Sequence, residues 1–217
     1  MALKLIIGNK NYSSWSFRPW IAMRQAGIPF EEELFALYEP GSREKIMQYS
    51  PTGTVPCLVD DDVTVWESLA ILDYLADKFP DKKLWPGDMK ARGFARAISS
   101  EMHSGFQALR QRCSMNMRRD RNKPRELTEP VKANVARIDA IWSESRSRFG
   151  AGGPFLFGAF TNADAMYAPV VSRFASYSIP VSPAARAYMD AMMALPAWKE
   201  WEAAARVEPM VMAHNEM

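Results

Sequence analysis

Two short segments with ten residues between them, Thr54-Val55-Pro56 and Glu67-Ser68, hold the most readable chemistry of this chain. A proline nitrogen cannot donate a hydrogen bond, and a Val-Pro bond entering the apolar run Cys57-Leu58-Val59 is a candidate for a cis turn. Such a bond would turn the N–H and C=O of Val55 outward, an edge that can pair with a short peptide. Glu67-Ser68 directly precedes Leu69, Ile71, Leu72, Leu75 and Phe79, apolar residues at helical spacing. Ser68 therefore sits where helix caps are found and unpaired N–H groups gather, a place that welcomes an anion such as a carboxylate. A third cluster, Tyr12-Ser13-Ser14-Trp15-Ser16, puts hydroxyls at the start of another predicted helix.

A framework must bring these segments together, and the first 80 residues alternate strand-like and helix-like stretches. Residues 3–7 read as a strand and Gly8-Asn9-Lys10-Asn11 as a polar turn. Phe17, Trp20 and Ile21 fall at helical spacing, with Arg24 next on that stripe, and Gly27-Ile28-Pro29 is a helix stop. Residues 30–37, 57–59 and 64–66 read as three more strands, the last two joined by Asp60-Asp61-Asp62, and the helix from Ser68 closes the unit. A Pro- and Gly-containing linker follows at 82–88. Beyond it the pattern is helical. Residues 91–117 read as one long helix bearing Phe94, Ile98, Met102, Phe106 and Leu109, and Pro130 opens another with Val131, Val135, Ile138 and Trp142. Thr161 and Asp164 have the spacing of a capping box for a helix with Met166, Val170 and Phe174, while Pro183 and Pro196 begin two more. The expected class is α/β plus all-α, with a βαβ-ββα domain at 1–81 and a helical domain at 89–217.

Composition sets limits. With 48% hydrophobic and 24% charged residues in 217, the chain has the make-up of a folded globular protein. Twenty-seven Lys and Arg against 25 Asp and Glu leave a formal +2, too little to imply nucleic-acid binding, and the basic cluster from Arg110 to Arg125 reads as a solvated surface. Two cysteines, Cys57 and Cys113, in unlike contexts support neither a disulfide framework nor a four-ligand zinc site, and the lack of Cys-x-x-Cys disfavours a dithiol oxidoreductase. Cys57 reads as a small buried apolar residue. Met1-Ala2-Leu3-Lys4 leads into an apolar run too short for a signal-peptide core or a membrane span, so a cytoplasmic protein without membrane partners is expected. Met102, His103, Phe106, Met115 and Met117 could line an apolar site, but Met and Phe at this spacing are more often core residues. His103 has no orienting carboxylate in sequence, and Trp198 and Trp201 read as packing.

The whole order, carried by Tyr12-Ser13-Ser14-Trp15-Ser16-Phe17-Arg18, Thr54-Val55-Pro56, Glu67-Ser68-Leu69-Ala70-Ile71-Leu72-Asp73-Tyr74-Leu75 and Thr161-Asn162-Ala163-Asp164, resembles the glutathione transferases. Ser13-Ser14-Trp15-Ser16 is similar to the Ser-Ser-Cys-Ser of the zeta class, with Trp15 in place of the cysteine, in a bacterial member. The resemblance implies a thioredoxin-like first domain, a C-terminal helical bundle that contacts a small electrophile, glutathione as co-substrate, no metal, and a cytoplasmic homodimer. A thiol of pKa about 8.5 is only a few per cent ionised at neutral pH, so such an enzyme must stabilise the thiolate. A hydroxyl donating to the sulfur at a helix start does so. Transfer residue by residue points to Ser13, with Ser14 a close second; Tyr12 is a weaker donor. The glutathione-binding set implied is Ser13, Ser14, Trp15, Thr54, Val55, Pro56, Glu67 and Ser68. Val55 would pair with the cysteinyl portion, Ser68 would meet the γ-glutamyl carboxylate and Glu67 its ammonium.

Two alternatives stand beside the conjugating transferase. One is a glutathione-dependent cis-trans isomerase of the maleylacetoacetate or maleylpyruvate type. Against it, the arginine that the isomerases carry about two turns beyond the helix proline falls at Ser176 when counted from Pro169, and the nearest arginine, Arg173, is about one turn early. The other is a non-catalytic interaction domain.

Overall fold

Leu3, Leu5 and Ile7 alternate along β1 (Leu3–Gly8) and are buried on the helix side of a four-stranded sheet in a computed structural model that describes residues 3–123 and 125–216. Met1 and Ala2, read above as the start of the chain, and Pro124 and Met217, within the expected helical domain, lie outside the described residues. β2 (Phe30–Phe35) runs parallel to β1 from Leu3 opposite Phe30, while β3 (Cys57–Asp60) and β4 (Val63–Trp66) are antiparallel, giving the order β2-β1-β3-β4. The β1–β2 crossover is α1 (Ser14–Ala26). It stops at Gly27, whose left-handed φ of 64° suits glycine and lets the Ile28 N–H donate to the Met23 carbonyl at 2.9 Å.

Two details of this half differ from the sequence reading. The second strand ends at Phe35 rather than 37, and a five-residue helix, α2 (Ser42–Ile46), follows it. A helix that short has too few turns to show a period. In α3 (Ser68–Lys78) the N-cap is Glu67, and Ser68 is the first helical residue, not the cap.

The helical half contains α4 (Met89–Ser104), α5 (Gln107–Arg112), α6 (Glu129–Phe149), α7 (Asn162–Ser176), α8 (Pro183–Ala194), α9 (Pro196–Val207) and the short α10 (Ala213–Glu216). The expected single helix over 91–117 is broken. A Cβ on Gly105 would lie 2.7 Å from the Glu101 carbonyl oxygen, and Phe106 takes a φ of 60°, so the chain turns there. Phe106 and Leu109 are still buried in the same core from the turned segment, which is why their spacing imitated a continuous helix. α1 packs against α7 and α9, and Phe17 stacks on Trp201 with ring centroids 4.9 Å apart, so one core spans both halves.

Candidate functional site: a two-sided cleft at the start of the first helix

Between the two halves lies a cleft of about 960 Å³. Ser13, Ser14, Trp15, Thr54, Val55 and Glu67 all line it; Pro56 and Ser68, both buried, stand just behind. Segments far apart in sequence therefore converge, because the end of β1, the start of β3 and the end of β4 lie at one edge of the sheet.

The two serines are not equivalent. Ser13 is the N-cap of α1: its hydroxyl donates to Ser16 Oγ at 2.8 Å and accepts from the Ser16 N–H at 3.4 Å. Ser16 Oγ in turn accepts from the Gly8 N–H at 3.1 Å, so the Ser13 proton is committed to a chain tying helix to strand. Ser14 is the first residue of the helix and 8% exposed, and among the described residues no hydrogen bond engages its hydroxyl. It is the free donor at the positive end of α1.

Opposite these serines, the Val55–Pro56 peptide bond is cis, and neither the N–H nor the C=O of Val55 has a backbone partner among the described residues. Thr54 Oγ1 shares a hydrogen bond with Thr52 Oγ1 at 2.6 Å. Glu67 holds φ 72° and ψ 129°, a conformation that costs a non-glycine residue on the order of 1–3 kcal/mol and persists only where its surroundings enforce it. Beneath it Ser68 Oγ accepts from Arg18 Nη1 at 3.1 Å.

Sequence reasoning quoted Arg18 within a motif but gave it no role. Arg18 is 1% exposed, its Nε has no partner among the described residues, and its guanidinium lies 4.3 Å above the Trp15 ring. Burial above all, then the positive charges of Arg110 and Arg173, pushes its pKa well below the usual arginine range. The available signal was an arginine one turn beyond Ser14, set between Phe17 and Pro19 on a helix start rich in hydroxyls.

The wall from the helical half is more basic than expected. Of Met102, His103, Phe106, Met115 and Met117, Met115 alone lines the cleft; Met102, Phe106 and Met117 are core. His103 packs edge-on against Trp15 at 5.3 Å, with its pKa lowered chiefly by burial. Arg110 and Arg173 line the cleft instead. Arg173 lies one helical turn before position 176 and so shares its face, while Ser176 itself donates to the Asn116 carbonyl at 3.0 Å. Met212, His214 and Asn215 close one side of the cleft. Among the described residues no group of His, Cys, Asp and Glu side chains is placed to hold a metal ion, and no helix is long and apolar enough to cross a membrane. Burial raises the Cys57 thiol to about 11, as suits a packing residue.

Comparison with known proteins agrees with this geometry. The model of the glutathione S-transferase N-terminal domain matches residues 12–78, and that of the C-terminal domain matches residues 117–204. The chain is similar to a glutathione S-transferase of Triticum aestivum, 27% identical over 191 residues that cover 86% of this chain and 87% of the relative. It is also 27% identical over 174 residues to a maleylacetoacetate isomerase of Rattus norvegicus, covering 79% of this chain and 78% of that one. A crystal structure of a glutathione transferase homolog from Burkholderia, with bound glutathione, shares the fold at a TM-score of 0.72 and 22% identity, covering 95% of this chain and 99% of that one. With both halves matched in order over well over half its length, the chain belongs to the glutathione S-transferase family.

Proposed function

We propose that the cleft binds glutathione and that the Ser14 hydroxyl activates its thiol for attack on a small electrophile. The observation that carries this reading is the unengaged Ser14 hydroxyl at the start of α1, facing the same cleft as the unpaired Val55 peptide group. The cysteinyl portion pairs with Val55, with Thr54 and Pro56 shaping that edge. The γ-glutamyl carboxylate sits at the start of α3, where the first N–H groups lack helical partners, with Ser68 and Arg18 adding a polarised hydroxyl and positive charge. Glu67 faces the ammonium group, and Trp15 flanks the sulfur. Ser13 holds the turn that presents Ser14. A homodimer in the cytoplasm, with domains at 1–81 and 89–217, completes the reading on the strength of the resemblance; sedimentation tests the dimer.

Titration of the bound thiol by its ultraviolet thiolate absorbance tests the assignment. Ser14→Ala is expected to return the pKa toward that of free glutathione, by about two units if the hydroxyl supplies roughly 2.7 kcal/mol. Ser13→Ala is expected to lower stability by about 1 kcal/mol with little change in the thiol. The opposite pattern moves the role to Ser13. The pKa is a sharper readout than rate, because a more basic thiolate regains nucleophilicity and masks part of the loss.

The isomerase reading, in which glutathione adds to a double bond, permits rotation and leaves, uses the same thiolate. Arg173 in the cleft is the observation that keeps it open.

A further inference from the structure

The charge of this chain is unevenly placed. Residues 110–125 hold seven arginines and lysines and one acid, Asp120, a net +6 in a chain whose formal total is +2, so the rest of the molecule totals −4. Arg110 belongs to the cleft wall, and Arg118 is bonded to the Tyr12 hydroxyl and the Met210 carbonyl. The other five cations lie outside the cleft: Arg112, Arg121 and Lys123 are exposed, Arg119 and Arg125 half-buried. Among the described residues Arg112, Arg119, Lys123 and Arg125 have no ion pair, and Arg121 shares the Glu202 carboxylate with Arg206, at 3.3 Å and 2.6 Å. Carbonyls and a ring fix the half-buried pair without cancelling its charge. Arg119 donates from Nη2 to the Lys123 carbonyl at 2.9 Å and Arg125 from Nη1 to the Arg112 carbonyl, while both guanidinium groups lie over the Tyr177 ring, at 4.5 Å and 5.4 Å. Exposed apolar side chains border these charges. Val207 is 82% exposed and Val211 66%. Their segment runs beside the basic loop, since Arg118 donates to the Glu208 and Met210 carbonyls and Arg121 meets Arg206 on Glu202. Either feature alone is ordinary at a protein surface; side by side they match an interface with negative headgroups above an apolar layer.

We propose that the basic loop at 112–125 and the segment at 206–211 form one docking surface for an anionic lipid bilayer. The contact is peripheral and reversible: the arginines and Lys123 meet the headgroups, and Val207 and Val211 enter the boundary between headgroups and acyl chains. A nucleic acid or an acidic polypeptide would neutralise the same charges, but phosphate and carboxylate groups give the valines no apolar partner. The expectation of a chain without membrane partners thus gives way to a surface contact, in a chain whose described helices include none able to cross a membrane. The surface lies outside the cleft, so the proposal stands apart from the glutathione reading.

Co-sedimentation with vesicles tests this, one set made of phosphatidylcholine alone and one containing about 30% phosphatidylserine. The chain is expected to sediment with the anionic vesicles and not with the neutral ones, and to be released as the salt concentration is raised. Arg112→Gln combined with Lys123→Gln removes two exposed cations whose side chains make no hydrogen bond among the described residues. That variant should bind anionic vesicles more than about tenfold more weakly, at roughly fivefold per cation near a charged membrane. Val207→Ser leaves the charge intact and should weaken vesicle binding severalfold, while binding to the soluble polyanions heparin and poly-L-glutamate stays as in the parent. Both variants alter exposed side chains and are expected to melt with the parent. Absence of any preference of the unsubstituted chain for anionic over neutral vesicles overturns the proposal, and that comparison needs no variant to fold. Vesicle binding that survives the loss of both cations places the contact elsewhere and also overturns it. Vesicle binding that Val207→Ser does not weaken overturns the lipid assignment in favour of a soluble polyanion, and the relative affinities for heparin and poly-L-glutamate then separate a nucleic acid from an acidic polypeptide.

Discussion

Arg18 is the residue whose position is hardest to explain by folding alone. A guanidinium buried against Trp15, with one bond to Ser68 Oγ and no ion-paired carboxylate among the described residues, carries a desolvation penalty that packing does not return. Replacing such a cation with an apolar side chain of similar volume is often neutral for stability or stabilising. Arg18→Met is therefore expected to melt within a few degrees of the parent yet bind glutathione at least about tenfold more weakly, the scale of a hydrogen bond to a charged group. Unchanged affinity in that variant would reduce Arg18 to packing and leave the start of α3 as the sole anion support. At this scale the sequence was legible for residues whose type implies geometry. Val55-Pro56 announced a turn and Glu67-Ser68 a helix start, although the cap itself fell on Glu67. It was not legible for the division of labour between Ser13 and Ser14. Two adjacent hydroxyls differ only in which neighbour each meets, and Ser16, three residues on, decides that.

Among the elements, α7 ties the two halves together, and its start is held by one buried carboxylate. Asp164 accepts from the Thr161 N–H at 2.8 Å, the Thr161 hydroxyl at 3.0 Å and, across the loop, the Leu156 N–H at 3.0 Å. The Thr161 and Asp164 spacing had marked this helix start, but nothing in it showed the tie to Leu156 or complete burial. Burial raises the Asp164 pKa to about 6, against the effect of those donors. An acid whose folded pKa lies above its unfolded value of about 3.9 favours the native state when protonated, so its contribution falls as pH rises from about 4 through about 6. The margin of the parent over Asp164→Asn, measured by denaturant melts, is expected to widen by up to about 3 kcal/mol between pH 7 and pH 4. A margin that narrows on acidification would mean that the three donors outweigh burial. The broken helix at Gly105 is the converse case. Its apolar stripe continued across the break because side chains from a turned segment entered the same core, and a period cannot distinguish the two.

At the scale of the molecule, the loop before Ser13 is held by chain more than 100 residues distant. The Glu208 carboxylate accepts from the Lys10 N–H at 2.8 Å and the Asn11 N–H at 3.0 Å, and the Trp201 indole donates to the Lys10 carbonyl at 2.9 Å. Arg118 donates to the Tyr12 hydroxyl at 2.7 Å and to the Met210 carbonyl at 2.8 Å, and the Tyr12 hydroxyl donates to the Glu216 carboxylate. No local pattern could have shown this, since Arg118, Glu208 and Glu216 each read alone as a surface charge and Trp201 as packing. The consequence is mechanical: if Ser14 activates the thiol, its position depends on a strap from the far end of the described chain. Glu208→Gln keeps one acceptor oxygen but turns an NH₂ group toward a backbone donor, and should lower stability by about 1–3 kcal/mol. The same variant should raise the bound-thiol pKa, because the loosened loop no longer fixes Ser14 against the sulfur. Arg206→Ala serves as the control, since its bond to Glu202 is an exposed i,i+4 pair at 2.6 Å that is expected to change stability by no more than about 0.5 kcal/mol. A Glu208→Gln protein that is less stable but holds the thiol pKa of the parent would show that the strap secures the fold without setting the position of the nucleophile.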